Sequence, residues 1–433
     1  MTHPLQQSRP ENGECSIGLV LGRRLGLLVT IALAFPARAA AAPVLVMGQG
    51  GRVHRANDPY LSAVALTPPP AASTARQARA RPSSSRRTVY SELARLYRGH
   101  QISAAAYGDY TSSYSSALAL ERKLSGTRKT ELTAVTVNLH DLAAGGFFNS
   151  SRLPVLFMTL DRNRQWWNTG PLLSSGQRVE FTGSQVVWEY YPGQGIELQV
   201  LGTFGKADGL YTAGRSQYSA MRALLAEMIP LAVRRSGNLV WEYYFHFDGG
   251  VPPWVSAMSQ GTGIEALTRA YRAFGAGSGR PTGGESPATP SATRYLRIAH
   301  QALSIFTVPP PVGVRIGTSI GARYLQYSFA PGVDIINAFL QSLIGLHDYA
   351  HVSGDRMAAR LFAAGNRQAQ AELPRFDTGR WSLYQPGVLD TIDYHKLVTG
   401  FLDELCAKTK ASVYCREAQR FTSYLNHPPP GVS

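Results

Sequence analysis

From Val89 onward, apolar residues return at helical spacing. Leu93, Leu96 and Tyr97, then Tyr107, Tyr110, Tyr114, Leu118 and Leu120, then the run from Leu132 to Leu142 predict successive amphipathic helices. Leu153 to Trp167 predicts one more, stopped by residues 168–171. The middle of the chain then repeats a unit: an extended aromatic segment, a Gly- or Pro-bearing loop, and an amphipathic helix. Trp188-Glu189-Tyr190-Tyr191 leads through Pro192 to Gly195 into a helix expected over 196–206. Trp241-Glu242-Tyr243-Tyr244 leads through Pro252-Pro253 into one over 255–274, and Tyr324 to Tyr327 leads through Pro331-Gly332 into one over 335–351. Plainer helices are expected over 216–234, 292–306 and 355–371, and residues 275–290, rich in Gly, Ser, Pro and Thr, read as an exposed loop. Paired helices whose linking loops carry aromatics predict stacked hairpins, and a stack that curves brings those loops to one end. The expected fold is mainly α, an incomplete (α/α) toroid of helical hairpins with short aromatic β-like segments lining a cleft. An ordinary helical bundle with a few hairpins is the alternative.

Ahead of this region the pattern is different. Arg23 and Arg24 precede an apolar run from Leu25 to Phe35, and Ala37-Arg38-Ala39 supplies small residues for cleavage, so residues 1–42 read as a secretory signal peptide. Residues 43–88, rich in Ala, Pro, Ser and Arg, read as a disordered linker, and 89–433 as the folded domain. The expected address is secreted or cell envelope, with membrane contact only through an uncleaved signal. Of the net charge of +15, residues 1–88 carry 11 basic against 3 acidic residues, so the folded part is only modestly basic. That balance suits a polyanionic partner or mere solubility. The extracytoplasmic address excludes nucleic acid as an expected partner. Of three cysteines, Cys15 lies in the signal, which leaves Cys406 and Cys415 as a disulfide candidate, with two buried thiols as the other reading.

Candidate chemistry concentrates in residues 373–395, LPRFDTGRWSLYQPGVLDTIDYH. Trp and Tyr offer flat faces to a pyranose, Arg a planar fork to a carboxylate, and Tyr and His can exchange protons. The stretch resembles the C-terminal domain of D-glucuronyl C5-epimerases at its FDTG-x-WSLY and DYH motifs. The likeness extends to residues 188–210, to the PPWVSAMSQG run at 252–261, and to NAFLQSLIGLHD ending at Asp348. It implies that Tyr327, Tyr384 and Tyr394 line a catalytic cleft. It also marks two departures. Tyr324-Leu325-Gln326-Tyr327 stands where the family has Tyr-Glu-Glu-Tyr, and Gln385-Pro386-Gly387 stands where the animal enzymes carry an Arg soon after WSLY.

Inverting C5 of a hexuronate removes a proton alpha to a carboxylate and returns one on the opposite face, which needs a base, an acid and a cation for the growing charge. Tyr327, Tyr384 and Tyr394 are the expected proton-transfer set. Arg323, Gln326, Arg380, Trp381, His395, Trp254, Gln260, Tyr191 and Tyr244 are expected around the substrate, with Arg375 as a further cation. Each has a plainer reading: a packed aromatic, a hydrogen-bonded histidine, a Trp254 that anchors its helix, a Gln260 that bonds locally. For the missing acid, either the tyrosines suffice, or Glu189 or Glu242 substitutes, or the protein binds sugar without turning it over. His347 and His351, flanking Asp348 at i and i+4, form a weak metal motif without an evident third ligand. No cofactor is required. The expected partner is an acidic, uronate-containing polysaccharide, as substrate of an epimerase or lyase or as ligand of a binding protein, and the resemblance leans toward a homodimer.

Overall fold

The computed structural model describes residues 41–62, 87–275 and 292–432. In chain order it contains β1 (Ala41–Met47), β2 (Val53–Ser62), α1 (Val89–Arg98), α2 (Ala104–Lys123), α3 (Gly126–Ala144), α4 (Leu153–Thr169), β3 (Arg178–Phe181), β4 (Trp188–Tyr191), β5 (Gly195–Leu198), α5 (Val200–Thr212), α6 (Tyr218–Met228), β6 (Val233–Arg235) and β7 (Asn238–Val240). There follow α7 (Ala257–Gly275), α8 (Ala292–Ala302), β8 (Arg315–Gly317), β9 (Ala322–Tyr324), α9 (Ile336–Ser353), α10 (Arg356–Glu372), β10 (Leu383–Gln385), β11 (Val388–Leu389), α11 (Ile392–Thr409) and α12 (Ser412–Tyr424). The chain is mainly helical, as its periodicity predicts.

Helices α5, α7, α9 and α11 pack one against the next, and each carries the following helix, α6, α8, α10 or α12, as its hairpin partner. The first row is the buried one. Every residue of α7 from Ala257 to Thr268 is buried, as is every residue of α9 from Ile336 to Leu346, so these stretches are enclosed on all sides, polar residues such as Gln260, Glu265 and Gln341 included. Glycines let the pair close. A Cβ on Gly345 would sit 2.1 Å from the Gly261 carbonyl oxygen, and one on Gly261 would sit 2.7 Å from the Ser342 Cα. Each buried helix is preceded by a hairpin or aromatic turn: β4–β5 before α5, the Tyr243–Trp254 bridge before α7, β8–β9 before α9 and β10–β11 before α11. The sequence repeat is therefore a structural one, and it sets aromatics beside the amino ends of the buried helices.

Two expectations need correction. Residues 43–62 are not a linker. With Ala41 and Ala42 they form β1 and β2, an antiparallel hairpin at the edge of a mixed sheet of order β2-β1-β3-β4-β5, with β1 parallel to β3. The composition hid an alternation in which Ala42, Val44 and Leu61 close over Val187, a partner more than a hundred residues away. Lys206 of α5 pins the hairpin through Asp58 at 2.7 Å and reaches Glu180 of β3 at 2.8 Å. The rest of the linker, and the signal peptide apart from its last two residues, lie outside the described residues, as does the expected 275–290 loop beyond Gly275. Second, residues 195–198 are strand, and the helix begins only at Val200. Gly193 and Gly195 take positive φ in the turn, and Asn163 of α4 holds the Ile196 N–H and carbonyl at 2.8 and 2.7 Å. The helices expected over 216–234 and 292–306 also end early, at Met228 and Ala302, and continue as short 3₁₀ turns.

Candidate active site

Strand alternation builds the first wall. In β4, Trp188 and Tyr190 point one way, into rings of Phe181 and Trp167, and the Tyr190 hydroxyl donates to Glu131 at 2.9 Å. Glu189 and Tyr191 share the other face. The Tyr191 hydroxyl accepts from Gln199 Nε2 at 2.6 Å. Tyr243 reaches the same glutamine, its hydroxyl 3.2 Å from Gln199 Oε1 and 2.7 Å from Ser259 Oγ. Trp254 stacks on Tyr243 with ring centres 4.2 Å apart and meets Tyr327 edge-on at 5.7 Å, while Phe247 lies between Tyr191 and Tyr327. Tyr191, Gln199, Tyr243, Trp254, Gln326 and Tyr327 thus line one small cavity.

Tyr327, Tyr384 and Tyr394 come together from three elements: the turn after β9, strand β10 and the first turn of α11. Thr391 caps α11 by accepting from the Tyr394 N–H, which fixes where that ring leaves the helix. Tyr384 and Tyr394 meet edge to face with centres 5.1 Å apart. The Tyr384 hydroxyl is the hydrogen-bonding neighbour of the Tyr327 phenol. Burial pushes all three phenols above the usual tyrosine range. For Tyr394, Arg178 opposes that shift while Tyr327, Glu189 and Asp390 add to it; for Tyr327, hydrogen bonds from Tyr384 and Gln326 oppose it. At neutral pH the phenols are therefore protonated, able to donate a proton but not to take one until a cation or substrate changes the balance.

Charge that acts on Tyr394 comes from the sheet. Arg178 of β3 stands directly across from Glu189 of β4, and Glu197 of β5 lies opposite Glu189 again. The Arg178 Nε is 3.6 Å from Glu189 Oε2, and all three side chains are buried. Burial pushes the Glu197 carboxyl well above the usual range. Glu189 acts electrostatically on Tyr191, Tyr243 and Tyr394 together. Of the two carboxylates considered as stand-ins for the missing acid, only Glu189 faces the tyrosines. Glu242 is held by Arg152 at 2.7 Å and Arg235 at 2.9 Å.

Several expected residues lie elsewhere. Arg323 pairs with Glu372 and Asp334, and Arg375 reaches Asp334 at 3.8 Å, so neither serves the tyrosines. Arg380 is exposed on the turn that Asp377 closes by accepting the Gly379 N–H at 2.7 Å. Trp381 and His395 are core: their rings stack 3.7 Å apart, and Trp381 donates to the Asp390 carbonyl at 2.8 Å. The His395 Nε2 lies 2.8 Å from the Phe421 carbonyl and must carry the proton, which leaves Nδ1 to accept from the Ser382 N–H at 3.3 Å. Gln260 clamps the Trp241 backbone at 3.2 and 2.9 Å, and Tyr244 turns toward Arg152 and Glu242. For Arg323, Trp381, His395 and Gln260 the bonding capacity is already used by a local or cross-helix partner. Trp254, Tyr191 and Gln326 remain in the cleft, the last accepting from Ser256 Oγ at 3.2 Å.

Sequence reasoning missed Arg178, Gln199, Tyr243 and Asp390. Alternation in WEYY signals that Glu189 and Tyr191 share a face, but nothing near Arg178 reveals its strand partner. Asp390 is fully buried, accepts from Ser382 Oγ, and acts on Tyr384 and Tyr394; burial lifts its carboxyl to about 7 against the Ser382 and Asn337 bonds. A second cavity of about 190 Å³ shares Leu201 with the first and runs from Arg178 to Asp208, Glu265, Arg269 and Glu404. Carboxylate oxygens of Glu265, Asp348 and Glu404 lie within 4.8 Å of one another, but Arg269 stands 2.5 Å from Glu265 and Lys408 2.6 Å from Asp348. Side-chain cations already balance that cluster. The His347 and His351 rings stack beside it, and the His347 Nδ1 engages Asp348 at 3.2 Å. Cys406 and Cys415 are joined as a disulfide, with Cα atoms 4.8 Å apart.

This chain is similar to a D-glucuronyl C5-epimerase of Caenorhabditis elegans, 30% identical over 194 residues that make up 40% of this chain and 29% of that protein. It is similar also to an uncharacterised protein of Methanocaldococcus jannaschii, 27% identical over 153 residues, 34% of this chain and 44% of that one. The chain thus spans less than half the length of either relative. Among solved structures, cellobiose 2-epimerase from Bacillus thermoamylovorans aligns at TM-score 0.33 and 12% identity over 52% of this chain and 58% of its own. An α-mannanase from Bacteroides thetaiotaomicron aligns at 0.35 and 10% over 56% and 64%. Residues 235–278 and 288–423, which carry Tyr327, Tyr384 and Tyr394, match the model of the D-glucuronyl C5-epimerase C-terminus. Through those residues the chain is similar to the C-terminal part of D-glucuronyl C5-epimerases.

Proposed function

We propose that the protein is an extracytoplasmic carbohydrate epimerase that inverts C5 of hexuronate residues within an acidic polysaccharide, by proton abstraction and return through tyrosines. The observation that carries this reading is the convergence of Tyr327, Tyr384 and Tyr394, with the buried Arg178–Glu189 pair acting on Tyr394. Once one phenol has passed its own proton to solvent as substrate binds, the phenolate takes the C5 proton; the C–H electron pair moves into the carboxylate, and a phenol on the other face returns a proton. The row α5, α7, α9 and α11 with its outer partners is the inner wall of an incomplete (α/α) toroid in this reading, and the amino ends of those helices favour a negatively charged guest. The arginine-rich signal-like segment supports the extracytoplasmic address, and a homodimer is the assembly expected from the family.

A second reading has its own support. Gln326 stands where the family has an acid, and an amide cannot serve as a base, so a protein that holds the glycan without turning it over is the rival. Incubation with uronate polysaccharides in deuterated water, followed by NMR at H5, tests both. Loss of the H5 signal is expected, with an inverted product; an unsaturated product would mean a lyase, and bound polymer without exchange would mean the binding protein.

A further inference from the structure

We infer that Arg178 is the residue that receives the substrate carboxylate in this chain, oriented for that task by Glu189. This rests on the uronate reading above. Every arginine that the C-terminal motifs offer is engaged or exposed away from the phenols: Arg323 by Glu372 and Asp334, Arg375 beside Asp334, Arg380 on an outer turn. Arg178 is buried, lines the 190 Å³ cavity beside Leu201, Gly202 and Leu397, and its positive charge acts on Tyr394, one helical turn before Leu397. Those walls suit a pyranose. Leu201, Gly202 and Gly205 of α5 and Leu397 of α11 are apolar or without side chain, and a Cβ at Gly205 would meet nothing within 4 Å. At the far end Asp208 and Glu265, both held by Arg269, and Gln341, which donates to Glu265 at 2.8 Å, form a polar wall that hydroxyl groups can meet. A guanidinium is the planar fork that a carboxylate accepts best, and in a buried site the attraction is weakly screened. The same charge that seats the carboxylate stabilises the negative charge it gains when C5 loses its proton. Glu189, opposite Arg178 on β4, keeps the guanidinium from leaving its site and is a positioning residue.

The test uses the full chain, a glucuronate-containing hexasaccharide and its carboxyl-reduced counterpart, with titration calorimetry run beside C5 exchange. Wild type is expected to bind the acid form at least tenfold more tightly. Arg178→Gln abolishes that preference, Arg178→Lys restores part of it, and Glu189→Gln reduces it while affinity for the reduced form stays within about twofold. Gly205→Leu, which fills the cavity, weakens both forms. Loss of Arg178 alone leaves Glu189 buried without its cation, so Arg178→Gln/Glu189→Gln is measured too, with melting curves as a fold check, and also loses the preference. The inference is overturned if a folded variant lacking Arg178 keeps the wild-type preference, or if wild type shows none. An Arg178-dependent preference without any C5 exchange would overturn the epimerase reading and leave the carboxylate site standing.

Discussion

Tyr384, on the three-residue strand β10, and Tyr394, in the first turn of the next helix, meet edge to face at 5.1 Å. The turn at Gly387 folds the chain back between them, so residues ten apart present their hydroxyls to one space. Both rings are buried and contribute to the core as well as to the site, which makes removal of the hydroxyl alone the informative change.

Tyr394→Phe keeps the ring contact and deletes one oxygen. C5 exchange is expected to fall by roughly 10²-fold or more, with glycan affinity within a few fold. Calorimetry and exchange on the same preparation check this, and equal loss of both would mark Tyr394 as a packing residue.

Gln326 neighbours Tyr327 and accepts from Ser256, contacts that a glutamate of the same length can keep. Gln326→Glu is expected to raise turnover by about tenfold, since a carboxylate there can take the phenolic proton. Initial exchange rates compared with wild type decide it; no change would assign the acid's task to another group.

Asp390 carries a pH dependence. Its folded pKa is raised from 3.8 to about 7, so its contribution to stability is fully present below about pH 4 and is lost as pH rises through 7. At 1.36 kcal/mol per unit the loss is up to about 4 kcal/mol. Asp390→Asn should therefore gain stability relative to wild type between pH 4 and pH 8 in urea melts. Parallel pH profiles for the two proteins would sink this assignment.

The disulfide between Cys406 and Cys415 ties the end of α11 to α12. Closing so short a loop is expected to contribute about 2–3 kcal/mol through the unfolded chain. Urea unfolding with and without reductant, and of Cys406→Ser/Cys415→Ser, should show that loss; identical midpoints would mean that the helices hold each other without it.

Much of this was legible along the chain. The aromatic-loop-helix repeat at Trp188, Trp241 and Tyr324 became three of the four buried helices that a hairpin or aromatic turn precedes, and the tyrosines singled out at 327, 384 and 394 do stand together. Where the reading failed, a residue's chemistry was inferred without its direction. Arg323 and Arg380 flank key tyrosines in sequence, yet one is bound by Glu372 and Asp334 and the other faces solvent. His395, beside Tyr394, points the other way on the helix, into Trp381 and Phe421.

The sequence by itself determined where helices and turns fall and which segments are aromatic, because those properties depend on neighbours within a turn or two of the same chain. It also showed that position 326 lacks an acid. Only the tertiary structure decided that β1 and β2 are strands rather than linker, and that Arg178, outside every motif, is buried against Glu189 with its charge acting on Tyr394. The reason is physical: a strand exists only with its partner, and the face a side chain presents follows from register and helix packing, both fixed by contacts between residues far apart in the chain.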